Sequence, residues 1–217
     1  MSGIRLFMCV LGLMPGVLVW AHEDVDHVAV SKSSAQPVVS DITRDAQQYF
    51  TDTVLLNQHG NEVRFYSDVL AGKVVLLNVV FTQCKDACPL ISRKLQAVRE
   101  KLGEHSADIH FVSLSSDPVN DSPQALSAFI KKQRLDDRQW TFLTGEPEAI
   151  RTVLTRLGQF SNSAQDHSTL LIAGDVSNKR WSKIRPDAPV QAVAQRLQLL
   201  AMPVEAYWEE RSGLAWN

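Results

Sequence analysis

Val74-Val75-Leu76-Leu77-Asn78-Val79-Val80-Phe81, followed at once by Thr82-Gln83-Cys84-Lys85-Asp86-Ala87-Cys88-Pro89, decides the fold. The first eight residues form an almost continuous apolar run, the pattern of a strand buried on both faces. The segment that follows, PLISRKLQAVREKLG, reads as a helix closing at Gly103, a residue suited to a helix C-terminus. Two thiols therefore stand where a central strand hands over to a helix, at the carboxyl end of a sheet. Open α/β folds place their chemistry there. The four-residue step from Cys84 to Cys88 also suits two side chains on one helical face, able to reach one metal ion or each other.

Outward from this stretch, strands and helices alternate. Residues 52–56 and 62–65 flank Asn57-Gln58-His59-Gly60-Asn61 and predict an N-terminal β-hairpin. A second central strand is predicted at 109–115. Ser122-Pro123 marks a helix start, with the helix running to about Arg134. A short strand follows at 139–143, then a helix from Pro147 to about Leu157. A strand is predicted at 169–173, and a turn beginning at Gly174-Asp175 leads into 179–182. The last helix is predicted over 190–202. The pattern predicts an α/β fold, a mixed sheet with helices on both faces.

The chain divides into a signal peptide or membrane anchor at 1–21, a flexible tether at 22–47, one domain at 48–202 and an extension at 203–217. Arg5 precedes an uncharged run from Leu6 to Ala21, and Val19-Trp20-Ala21 supplies small residues before His22. That run is shorter than the roughly 20 residues of a spanning helix. Cleavage after Ala21 and an uncleaved anchor are both open, and either predicts export. Cys9 is signal-core filler, which leaves Cys84 and Cys88 in the exported portion. Two such cysteines are joined, catalytic or metal-bound more often than free. HEDVDH at 22–27 is a solvated acidic tether or an auxiliary metal-capturing tail through His22 and His27. A composition of 45% hydrophobic and 21% charged residues is that of a globular protein. A formal net charge of -2 gives no footprint for nucleic acid.

Four stretches in order, GKVVLLNVVFTQCKDACP, FVSLSSDPVNDSP, WTFLTG and DHSTLLI, resemble the Sco/SenC family over roughly residues 50–202. The resemblance implies a thioredoxin-like fold. It implies copper, as Cu(I) and Cu(II), held by Cys84, Cys88 and His167 as metal ligands. It further implies delivery of copper to the Cu-A centre of cytochrome c oxidase, or reduction of that acceptor's thiols. Such a protein needs two partners: a copper acceptor such as a cytochrome c oxidase subunit, and a thiol reductant protein. Its place would be the periplasm, or the outer face of the inner membrane through a tether. Family members commonly carry Pro after the first cysteine, where this chain has Lys85.

The chemistry of the residues agrees with this. Thiolates select Cu(I), zinc or iron–sulfur, and imidazole suits copper and zinc. A three-ligand site keeps a coordination position open for a partner's ligand. His167 lies far along the chain, so only folding brings it to the thiols, and Asp166 is a candidate to orient a neighbouring group. A helix N-terminus and adjacent Lys85 are expected to acidify both thiols. Oxidised Cys84–Cys88 would offer no thiolates, so loading with copper requires reduction. The alternatives are a structural disulfide, a thiol-disulfide reductase with Cys84 and Cys88 as its redox-active pair, and a thioredoxin-like peroxidase. Asp117-Pro118 either faces the site or ends a strand, Lys131-Lys132-Gln133-Arg134 is a solvated helix end or a contact for an acidic partner, and Trp140 and Phe142 belong to the core.

Overall fold

The structure is a computed structural model that describes residues 46–204 and 206, apart from 137. The signal or anchor at 1–21, His22, His27 and all but three residues of the 203–217 extension lie outside the described residues. Of the tether at 22–47, only residues 46 and 47 are described. They belong to a helical segment at 46–50 that buries Ala46 and Phe50. Among the described residues, no helix is long and apolar enough to cross a membrane.

Seven strands form one sheet: β1 (Val54–Asn57), β2 (Glu62–Arg64), β3 (Val74–Val80), β4 (Ile109–Ser115), β5 (Trp140–Thr144), β6 (Leu171–Asp175) and β7 (Arg180–Ile184). Their order is β2-β1-β5-β4-β3-β6-β7. The centre, β3, β4 and β5, is parallel, while β1 joins β5, and β6 joins β3, antiparallel. The expected hairpin is β1 and β2, with Leu55 opposite Val63. The longer α-helices among the described residues are α1 (Ala87–Leu102), α2 (Pro123–Gln133), α3 (Pro147–Arg156) and α4 (Val190–Ala201).

Alternation along β3 splits the core in two. Leu76 and Val80 point to the face covered by α1, α2 and α4, where they meet Leu95, Leu126, Trp140, Phe142 and Leu197. Val75, Leu77 and Val79 point to the opposite face, with Phe65, Leu143, Val153 and Ile172. Each such fully buried aliphatic side chain contributes about 1.5–3 kcal/mol through lost water contact. Asn78 is the one polar residue of the run. It accepts from the Ser113 hydroxyl at 2.7 Å, and that hydroxyl accepts from the Trp140 indole N–H at 2.9 Å. The polar atom is thus satisfied in the core, as burial requires.

Ser122 caps α2 as expected, its hydroxyl accepting from the Ala125 N–H at 3.2 Å. Several boundaries shift by one or two residues from the sequence reading, and the shift at β6 changes the role of two residues. Strand β6 occupies Leu171–Asp175, two residues beyond the predicted 169–173, so Gly174 and Asp175 end a strand and do not begin a turn. Two pairings across β6 and β7 account for this. Gly174 lies opposite Trp181, with no room for a Cβ beneath the indole. Asp175 lies opposite Arg180 and pairs with it at 2.7 Å.

Candidate metal centre

The loop from Thr82 to Asp86 joins β3 to α1 and carries Cys84. A turn closes its start, the Cys84 N–H donating to the Phe81 carbonyl at 3.2 Å. Cys84 therefore stands outside the helix, whereas Cys88 lies in the first turn of α1. The two sulfurs approach through a cap, and not along a shared helical face as the spacing suggests. The Asp86 side chain makes no capping bond at this end. Instead the Cys84 sulfur accepts the Cys88 N–H at 3.3 Å. A helix start leaves N–H groups without intrahelical partners, and here a sulfur takes one of them.

That geometry splits the two thiols. Burial pushes Cys84 up, but hydrogen bonds from the Cys88 thiol and from the backbone N–H groups of Cys88, Asp86 and Ala87 outweigh it. The net result is a thiol held below its ordinary value. Cys88 goes the other way, pushed up to about 12, first by burial and then by Cys84 beside it. The sequence reading expected both to be acidified. Only the half-exposed sulfur is, because the other has no exposed surface. Both are free thiols.

His167 follows the short helical turn Ala164–Asp166 and is buried. Its Nδ1 lies 3.0 Å from the Ser168 carbonyl oxygen. A carbonyl can only accept, so Nδ1 is the donor, and in the neutral ring that tautomer leaves the lone pair on Nε2. Nε2 lies 3.6 Å from the Cys88 sulfur. A metal bonded at about 2.3 Å to sulfur and about 2.0 Å to nitrogen, with about 120° between them, sets those atoms about 3.7 Å apart. Cys88 and His167 already have the spacing of two ligands of one ion. The edge of the Phe81 ring, with centroids 5.6 Å apart and planes at 80°, walls the imidazole. Asp166 is exposed, and the orienting contact to the ring comes from Ser168 in its stead.

Cys84 touches Cys88, and Cys88 touches His167. Cys88 is thus the residue in contact with both of the others. Among the described residues no group of three or more His, Cys, Asp and Glu side chains is gathered tightly enough to hold a metal ion as it stands. The donor set of two sulfurs and one nitrogen fits a soft metal, and Cys84, on the loop, would have to close on the other two to complete it.

Asp121, which sequence reasoning passed over, supports the loop from below. It is fully buried. One carboxylate oxygen accepts the Thr82 N–H and hydroxyl, and the other accepts the Ser115 hydroxyl at 2.6 Å. Its place just after Asp117-Pro118, at the end of a central strand, was the available signal. Asp117 itself accepts from the Asn120 amide at 2.9 and 3.0 Å and shapes a turn. His59 and His105 are exposed, and His110 is half-buried on β4, none of them hydrogen-bonded to either cysteine.

A profile of the SCO1/SenC family matches residues 42–200. The SCO1 protein homolog of Bacillus subtilis is 36% identical over 89 residues, which is 41% of this chain and 45% of that protein. The chain thus spans less than half of that relative's length. A SCO1/SenC family lipoprotein from Bacillus anthracis superposes with a TM-score of 0.60 at 27% identity, over 69% of this chain and 92% of that one. Bradyrhizobium japonicum ScoI, solved with copper bound, shares the fold at a TM-score of 0.58 and 23% identity, over 68% and 96% of the two chains. The family profile runs without a break from the segment before the hairpin into the last helix, with the cysteine loop and His167 inside it, and the chain belongs to the SCO1/SenC family.

Proposed function

We propose that this protein is a copper chaperone that holds one copper ion on Cys84, Cys88 and His167 and passes it to the Cu-A site of cytochrome c oxidase or to a similar exported copper enzyme. The observation that carries the reading is the 3.6 Å approach of His167 Nε2 to the Cys88 sulfur, with the ring's proton on the other nitrogen. A dithiol reductase needs no such imidazole. Family membership and a copper-bound relative of the same fold support it further. Cu(I) replaces the thiol protons, which leave to solvent, and His167 adds the nitrogen that lets the site also hold Cu(II). The working place is the periplasm or the outer face of the inner membrane, the tether at 22–47 linking the domain to an anchor if the first segment is retained. A thiol reductant protein keeps the pair reduced between cycles.

A second reading has its own support. The divergence of the two thiols, one lowered and half-exposed, the other raised and buried, is the division between an attacking and a resolving cysteine. In that reaction the Cys84 thiolate attacks a disulfide of the acceptor and releases one of its thiolates. Cys88 then loses its proton and attacks the Cys84 sulfur. The second acceptor thiol leaves, and the two electrons pass to the acceptor as Cys84 and Cys88 become joined.

His167→Ala separates the two. A copper carrier loses tight Cu(II) binding and most support of oxidase assembly while its dithiol keeps reacting with disulfides. Normal assembly by this variant would refute the chaperone reading.

A further inference from the structure

A groove of about 710 Å³ opens beside the cysteine loop. Cys84 lies in its wall. The same groove is lined by Lys85 from the loop, Arg93 from α1 and Lys132 from α2, against a single carboxylate, Asp86. All three cations are exposed, and among the described residues none of them has a carboxylate partner. The chain as a whole is slightly acidic, with a formal net charge of -2. A local excess of positive charge beside Cys84, the more exposed of the two described thiols, therefore runs against the average of the molecule. Leu90, 62% exposed, adds an apolar surface to the same groove.

A cationic rim is poorly suited to capturing a free metal cation, which it repels. It suits a ligand that arrives with negative charge, and clefts lined by one sign raise the encounter rate with the opposite sign. Cu(I) held by two thiolates is itself such an anion. We infer that the Lys85–Arg93–Lys132 groove docks an acidic segment of the partner protein, whose carboxylates flank the cysteines that exchange with Cys84. Copper then enters and leaves as a complex carried by that segment and not as an aqueous ion. The inference rests on the reading of Cys84 as the atom that meets the partner, and it assigns that partner's chemistry.

The test uses two small disulfides of opposite charge, dithiodiglycolate (a dianion) and cystamine (a dication), as probes of the reduced protein. Their rates with Cys84 are each divided by the rates with mercaptoethanol, which removes intrinsic reactivity. The wild-type protein is expected to favour the dianion by about tenfold at low salt, the preference fading as ionic strength passes about 0.1 M. In the double variant Arg93→Glu, Lys132→Glu the preference is expected to reverse, while the protein still loads one copper per chain. An equal ratio in wild type and variant, or a preference that salt does not weaken, overturns the inference. Copper uptake is read separately. Absence of uptake by the wild-type protein would remove the chaperone reading and leave the charge preference as its own result. A missing preference in a protein that loads copper would remove the groove inference alone.

Discussion

Thr82 is held twice by Asp121: its N–H donates to Oδ1 at 3.0 Å and its hydroxyl donates to the same atom at 2.6 Å. The carboxylate ties the first residue of the cysteine loop to the far end of β4, where Ser115 donates to Oδ2. Position and orientation of Cys84 thus depend on a residue that carries no copper chemistry of its own.

Replacing Asp121 with Ala strands three donors in a buried site. The expected cost is about 3 kcal/mol, read as a lower midpoint in urea. Copper release to a chelator should also speed up, since the loop loses its anchor. Asp121→Asn keeps an acceptor and should recover part of both losses. Unchanged release from a destabilised Asp121→Ala would mean that the loop holds its shape without the carboxylate.

Copper affinity should rise with pH, and the sign follows from the two thiols. Cys88 titrates at about 12, so at all moderate pH values binding must displace its proton. Each proton displaced makes affinity grow about tenfold per pH unit. Below the lowered value of Cys84 a second proton is displaced, and the dependence steepens. Competition with a pH-insensitive Cu(I) chelator measures the slope. A flat profile above neutrality would contradict the protonated state of Cys88.

Asp175 predicts the acid limb of stability. Burial pushes its carboxyl up, but hydrogen bonds from Asn178 and Arg180 more than offset this, and the group ends below its ordinary 3.8. A carboxyl lowered on folding stabilises above the unfolded value, and the contribution is lost as pH falls through the lower folded one. Arg180 also donates to the carbonyls of Leu200 and Met202 at the end of α4. Asp175→Asn should therefore cost about 3 kcal/mol at pH 7 and flatten the loss of stability below pH 4. Chemical denaturation at both pH values checks this.

Gly174→Ala should destabilise by about 1–3 kcal/mol without altering copper stoichiometry. A Cβ there would fall within the Trp181 ring, on the β6–β7 side of the sheet. The double variant Gly174→Ala, Trp181→Ala should be less destabilised than the sum of its parts, and additive losses in thermal melts would exclude the clash.

The central sheet could be read from the chain because β3 is a nearly continuous apolar run and β4 is rich in Ile, Phe, Val and Leu, the composition of buried strands. The N-cap at Ser122 was equally legible, since capping is local chemistry. The end of β6 was not. Gly174 and Asp175 have turn composition, and only the facing residues Trp181 and Arg180 make them strand. At the site, Cys84 and Cys88 stood out by their place after a central strand, whereas His167 was singled out by the Sco/SenC resemblance of DHSTLLI. The opposite shifts of the two thiols could not be read, because burial of one sulfur by α1 and the core is a tertiary fact. Nor could the Ser168 carbonyl, a backbone atom that every residue possesses.

Exposure falls steadily from Cys84, half-exposed, to His167, 8% exposed, to Cys88, with none. An incoming donor atom consequently meets the loop sulfur before it can reach either of the others. If these three residues hold one ion as proposed, ligand exchange would begin at the outermost bond, with the two inner donors still holding the ion. A partner's donor atom would then take hold of the ion before the protein has let go of it.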